Sequence, residues 1–299
     1  MILRQLAAPT SDRPTVRCIG RADALALIRD ARDVLDDPEI RHEPAESLLE
    51  ALVTSGLLVK LELEGGVRPA TLFAIGPQAP ATLAPIELLE AAHPNGVICY
   101  FTALEFYGLT TQMASFHHIA RLVPRPRQSG RTAIDRSPPT EAPALRRRHA
   151  LGTLLFSYRD QPYFRTDRSA HTVPGIQLRQ LNDKTLARIT TREQTLLDTL
   201  QHPARCGGSS IVWEAWKRGV ENVDPNRLFD HLRDIDDLRL MRRVGHVLQQ
   251  LGHDPSDPLA ALLATARRRV AARTDDDVIP LFLGIPGTQL DSIWNVQFP

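Results

Sequence analysis

Three groups of residues in this chain are of types that could do chemistry. Gly207-Gly208-Ser209 opens a predicted helix, and Asp234-Ile-Asp-Asp237 follows about 25 residues later. Metal-assisted nucleotidyl transfer needs two carboxylates projecting from a strand beside a Gly-Ser turn, so that both hold Mg²⁺ and position a triphosphate. Here no apolar strand lies beneath the aspartates, which read better as helix caps and solvated turn residues. His117 and His118 are adjacent, and on a strand neighbouring side chains point to opposite faces, so the two cannot readily share one metal ion. His171 and His246 stand in other elements with no acidic residue at ligand spacing, and Ser209 and Ser210 have no neighbouring histidine to activate them. No catalytic residue, metal or cofactor is expected.

The third group is cationic. The formal net charge is only +1, but residues 116–170 carry 11 Arg against 4 Asp/Glu, whereas residues 1–80 carry 9 Lys/Arg against 12 Asp/Glu. Arg125, Arg127, Arg131, Arg136 and Arg146-Arg147-Arg148 fall in or beside a Pro-, Arg- and Ser-rich stretch from Pro124 to Pro143, predicted to be a loop. Arginine clusters in such segments can follow a phosphate backbone; the alternative is a solvated basic loop with no dedicated ligand.

The elements that would carry these residues follow from periodicity. Leu25, Ile28, Ala31 and Leu35 predict an amphipathic helix over 21–36, and Pro44 opens a second one that stops at Gly56. Residues 57–63 and 70–75 read as two strands joined at Gly65-Gly66, and Pro77 and Pro80 mark a linker. Helices followed by a hairpin predict a winged helix-turn-helix in residues 1–80. Residues 81–299 form a larger domain in which a small mixed sheet packs on a helical subdomain, so the fold class is α+β. Predicted strands cover 117–123, 152–158, 173–178, 187–190 and 278–283. Helices are expected at 85–92, 102–107, 210–218 and 236–251, and from Pro225 and Pro258 with Asp224 and Asp257 as N-caps. Arg242 and Arg243, inside one of these helices, are expected to include at least one that pairs with Asp234, Asp236 or Asp237. Trp213 and Trp216, at i, i+3, are expected to pack in the core or at a domain interface.

A winged module makes duplex DNA the first candidate partner. Ser47, Glu50 and Thr54 would face base edges from the helix over 45–55, while Arg41, Lys60 and Arg68 would meet phosphates. That helix carries Glu46 and Glu50 and no Lys or Arg, so cations must come from elsewhere; the alternative is that the module binds a protein. Cys18, Cys99 and Cys206 are three widely spaced thiols that suggest neither disulfides nor zinc. With no run of about 18 apolar residues and no secretory signal, a cytoplasmic chain without a membrane span is expected.

One segment says more. In Arg188-Ile-Thr-Thr-Arg-Glu-Gln-Thr-Leu-Leu-Asp-Thr-Leu200, Thr190 and Glu193 form a predicted capping box ahead of the apolar Leu196, Leu197 and Leu200. Arg192–Asp198, the Gly207-Gly208 turn and Met241-Arg-Arg-Val-Gly-His-Val-Leu-Gln-Gln-Leu-Gly252 occur in the order found in the AbiEi family, which the chain resembles. Phe101–Thr110 and the stretch from Gly287 to Trp294-Asn295-Val296 are weaker echoes. That family comprises the antitoxin and transcriptional-repressor partners of type IV abortive-infection toxin–antitoxin pairs. The resemblance implies binding to the chain's own promoter and counteraction of a co-encoded nucleotidyltransferase-like toxin, directly or indirectly, by stoichiometric binding without chemistry.

Overall fold

The computed structural model describes residues 17–34, 38–66, 70–124, 151–182, 185–254, 256–269, 278–282, 285 and 287–299. It is a mixed α+β fold built on three sheets. Strand β1 (Cys18–Gly20) leads into α1 (Arg21–Val34), α2 (Pro38–His42) and α3 (Ala45–Thr54), and then into β2 (Leu58–Lys60) and β3 (Leu72–Ile75). The strands form an antiparallel sheet in the order β1-β3-β2. Leu25 and Ile28 of α1, Leu49 and Leu52 of α3, and Leu58 and Phe73 of the sheet close one apolar core.

The chain continues through α4 (Ala79–Thr82), α5 (Pro85–Ala92), β4 (Val97–Ile98) and α6 (Tyr100–Phe106) to β5 (His117–Val123). Strands β6 (Thr153–Tyr158), β7 (Gln161–Ser169), β8 (Ile176–Asn182) and β9 (Thr185–Thr190) complete a six-stranded mixed sheet ordered β6-β7-β5-β4-β9-β8. Adjacent residues serve its two faces, as the pleat requires. Ile98 and Ile119 join the core under α5, whereas Cys99 and Ala120 join the core of the helical half.

That half contains α7 (Arg192–Gln201), α8 (Ser209–Gly219), α9 (Pro225–Ile235), α10 (Leu238–Gln250) and α11 (Ser256–Arg269). It is closed by a small sheet of β10 (Ile279–Pro280), β11 (Gln289–Asp291) and β12 (Val296–Phe298). Asp224 caps α9 as expected, accepting from the Asn226 N–H at 2.9 Å. The cap of α7 lies one residue later than expected: Thr191, not Thr190, accepts from the Gln194 N–H at 3.2 Å. Thr190 belongs to the β9 ladder opposite Ile176, so the helix cannot begin before it ends. Likewise α11 begins at Ser256, which places Asp257 in the first turn. Of residues 278–283, expected as one closing strand, those described, 278–282, contribute the two-residue β10.

The N-terminal sheet and the six-stranded sheet share apolar packing. Cys18, Leu72 and Ala74 meet Leu88 and Leu89 of α5, and Phe156 and Tyr163 of the large sheet, in one core. An ion pair ties Arg17 to the buried Glu87 carboxylate, with Arg17 Nε 2.8 Å from Glu87 Oε1, and this pairing raises the arginine pKa.

Candidate nucleic-acid interface

Pro44, whose fixed φ suits a helix entrance, is the N-cap of α3, and Gly56, at φ +72°, lies just beyond its C-cap Ser55. Ala45, Leu49 and Leu52 are buried against α1. At i, i+3 and i+7 the residues Ser47, Glu50 and Thr54 share the outer face, Ser47 half-buried and the other two exposed. Glu46, also exposed, lies 3.9 Å from Arg29 of α1. Arg41 is exposed in α2. Among the described residues, then, the outer face of α3 bears two carboxylates and no cation of its own.

The hairpin turn at Gly65-Gly66, expected as the wing, packs against the large sheet. Glu64 pairs with Ser157 of edge strand β6 through backbone hydrogen bonds of 3.0 and 2.7 Å. Gly66, at φ +90°, lies so close to β6 that a β-carbon there would run into the Leu155 carbonyl. The β6–β7 turn adds a second tether, since Tyr158 Oη and Arg159 Nη2 both donate to the Pro80 carbonyl, at 3.1 and 2.9 Å. Pro80, read from sequence with Pro77 as marking a linker, lies in the short helix α4. Lys60 is exposed and lines a cleft of about 530 Å³ with Glu62, Glu64, Arg159 and Asp160, a mixed-charge wall between hairpin and sheet. Arg68, Arg125, Arg127, Arg131, Arg136, Arg146, Arg147 and Arg148 lie outside the described residues.

The residues singled out for chemistry are spent on structure. Asp237 Oδ1 caps α10, 2.9 Å from the Arg239 N–H, Asp236 takes the left-handed position that ends α9, and Asp234 sits 3.9 Å from Arg233. His117 and His118 face opposite sides of β5, with His117 Nε2 3.2 Å from Gln161 Oε1 and His118 Nε2 2.9 Å from the Leu151 carbonyl. Burial lowers their pKa values to about 4 and about 3, so both rings are neutral. The thiols of Cys18, Cys99 and Cys206 are buried and free, and burial pushes the first two up to about 12. His246 has the acidic partner that its sequence neighbourhood lacked: Nδ1 is 2.7 Å from Asp291 Oδ2 in the C-terminal sheet.

A buried polar network was not foreseen. Arg168 forms a fork-to-fork pair with Asp198, both contacts 2.7 Å, and Gln194 Nε2 donates to the same carboxylate at 2.8 Å. Arg168 and Arg205 flank the Tyr100 ring, 5.0 and 5.4 Å from its centroid. Tyr100 itself sits at φ +56°, an uncommon angle for a non-glycine residue, at the junction of β4 and α6. The sequence signal was Gln194 and Asp198, one helical turn apart on the helix that carries Leu196, Leu197 and Leu200.

The phrases that carry the family resemblance meet in space. A β-carbon at Gly207 would lie 2.9 Å from the Phe101 ring, and one at Gly245 would lie 2.6 Å from three atoms of the Trp294 ring. Arg242 Nε donates to the Trp294 carbonyl at 2.6 Å, and Arg243 donates to the carbonyls of Pro280 and Leu200 at 3.0 and 3.1 Å. These arginines were expected to include one paired with an aspartate. Both reach backbone carbonyls presented by the C-terminal segment and the end of α7, and Arg243 also lies in the field of Asp237. Trp216 is buried as expected, with its indole N–H 3.0 Å from Thr199 Oγ1.

No family model and no curated protein matches the chain. Among solved structures it is similar to one described as the crystal structure of RV2827C protein from Mycobacterium tuberculosis. The two are 17% identical with a TM-score of 0.55, over 96% of this chain and 87% of that one. At that identity the likeness is one of fold. Among the described residues no helix is long and apolar enough to cross a membrane.

Proposed function

We propose that this chain is a DNA-binding antitoxin of the AbiEi kind, which represses its own promoter and counteracts a nucleotidyltransferase-like toxin by binding alone. In this reading residues 1–80 act as a winged helix-turn-helix and residues 81–299 as the antitoxin domain. The observation that carries it is the β1-α1-α2-α3-β2-β3 order, in which α3 packs on α1 by Leu49 and Leu52 and leaves Ser47, Glu50 and Thr54 on an open face. A helix held in this way has the geometry of a groove reader. Most phosphate neutralisation falls to the arginines of 125–148, because the open face of α3 has none.

A gel-shift titration against the duplex immediately upstream of the gene tests the reading. Binding should exceed that for random duplex and weaken steeply with salt. Replacing Arg146, Arg147 and Arg148 with Ala should lower affinity for all sequences and reduce the salt slope by about 3, roughly one for each phosphate no longer neutralised. Equal affinity for random duplex at physiological salt would overturn operator recognition.

Two observations favour a second reading, in which the module binds a protein. Glu46 and Glu50 make the outer face of α3 acidic, and the hairpin tip is committed to β6. The same titration separates the two, because a protein-binding module shows no salt-dependent affinity for either duplex.

A further inference from the structure

A polar cleft of about 620 Å³ lies where α6, β8, the start of α7 and the start of α9 meet, a size suited to a small organic ligand. Three arginines line it: Arg179 from β8, Arg192 from α7 and Arg227 from α9, all exposed. Their counter-charges are unevenly placed. Arg227 Nε is 3.7 Å from Asp224 Oδ2, whereas Arg179 and Arg192 have no carboxylate within 4 Å among the described residues. The remaining carboxylate, Glu193, is buried and accepts the Asp224 N–H at 3.1 Å.

One wall of the cleft is fixed. Tyr107 Oη donates to the Thr190 carbonyl at 2.7 Å and accepts from Gln177 Nε2 at 2.6 Å, which locks the ring. The Arg192 guanidinium lies 5.5 Å from the centre of that ring. Burial raises the Tyr107 pKa, opposed by its hydrogen bond from Gln177 and by the fields of Arg179 and Arg192. Two planar donor forks beside a rigid aromatic wall, with the carboxamides of Gln180 and Asn222 nearby, combine phosphate ligands with a surface for a flat ring.

We propose that this cleft binds a mononucleotide, with Arg179 and Arg192 holding its phosphate and the Arg192–Tyr107 pair bordering its base. The site is separate from the face of α3, and its occupancy does not depend on duplex binding.

Calorimetric titration of the full chain with AMP and GMP, with adenosine, inorganic phosphate and a short duplex in parallel, tests this. At least one nucleotide should bind about tenfold or more tighter than both adenosine and inorganic phosphate. The Arg179→Gln/Arg192→Gln variant should weaken that nucleotide by about tenfold or more with an unchanged melting temperature, since both side chains are exposed. No nucleotide binding at roughly millimolar concentration would overturn the proposal, as would adenosine or phosphate binding equally well, or an unaffected double variant. A variant that loses duplex affinity when no nucleotide binds would assign the cleft to the DNA backbone and overturn it equally.

Discussion

Replacing Gly245 with Ala sets two effects of opposite sign against each other. In an isolated helix the change gains about 1 kcal/mol, because glycine is the poorer helix former. In α10 the new β-carbon would stand 2.6 Å from three atoms of the Trp294 six-membered ring, where ordinary carbon contacts are about 3.5–4.0 Å. The ring must therefore retreat by about 1 Å, yet it is held on several sides. Its indole N–H donates to Gln249 Oε1 at 2.7 Å, its backbone N–H to Asp291 Oδ1 at 3.2 Å, and its carbonyl accepts from Arg242. Overpacking costs about 1–3 kcal/mol and a broken hydrogen bond about 1 kcal/mol more, so the net change is a loss of about 2 kcal/mol. Thermal melting should fall by about 5 °C, and urea midpoints should fall without a change in slope. Trp294→Phe removes the ring atoms nearest Gly245, so it should cost less when combined with Gly245→Ala than alone, with a coupling energy of about 1 kcal/mol or more. A neutral or stabilised Gly245→Ala would show that helix propensity prevails and refute the packing account.

Two further perturbations follow from buried charge. Glu90 of α5 is mostly buried with one carboxylate oxygen unpartnered, and burial raises its pKa from 4.5 to about 8 against the opposing field of Arg188. The folded chain therefore holds this proton where the unfolded chain has lost it, and stability should fall between pH 4.5 and 8, by about 3 kcal/mol at pH 7. Glu90→Gln should abolish that decline in urea midpoints measured at pH 5 and pH 8; the same decline in the variant would refute the assignment. Asp198→Asn should destabilise by about 3–5 kcal/mol because it leaves the buried Arg168 guanidinium unmatched, and Arg168→Met in the same chain should restore much of the loss. Urea denaturation of both variants checks this, and equal stabilities would count against it.

Local chemistry was legible where it acted locally. Pro44 and Gly56 bracket α3, Pro85 opens α5, and Asp224-Pro225 begins α9, because caps and proline act within one turn. Strand β7 was missed because Arg165 and Asp167 break its apolar run on one face, while on the other Arg168 is buried only by virtue of Asp198, thirty residues away. The partner of His246 lies 45 residues further on, and the carbonyls that receive Arg242 are more distant still. A docked hairpin has the same local sequence as a free one, since only the edge of β6 decides between them. Of the residues expected at an interface, the five that are described are spread over α2, α3 and β2, and the structure adds Arg179, Arg192 and Arg227 to the cations worth testing.

The phrases behind the family resemblance belong almost wholly to the interior. Leu196, Leu197, Asp198, Val244, Gly245 and Trp294 are buried, and Arg242 and Arg243 are spent on backbone carbonyls. Close packing restricts such positions to few residue types, so they preserve a scaffold irrespective of what its surface binds. The open face of α3 and the rim of the arginine cleft are under no such restriction, and the proposed recognition rests on these surfaces. A chain can therefore keep every buried residue of these phrases and change its partner. For this reason substitutions on the α3 face, in 146–148 and at Arg179 and the exposed Arg192 discriminate between functions, whereas substitutions at the buried positions of the phrases report stability alone.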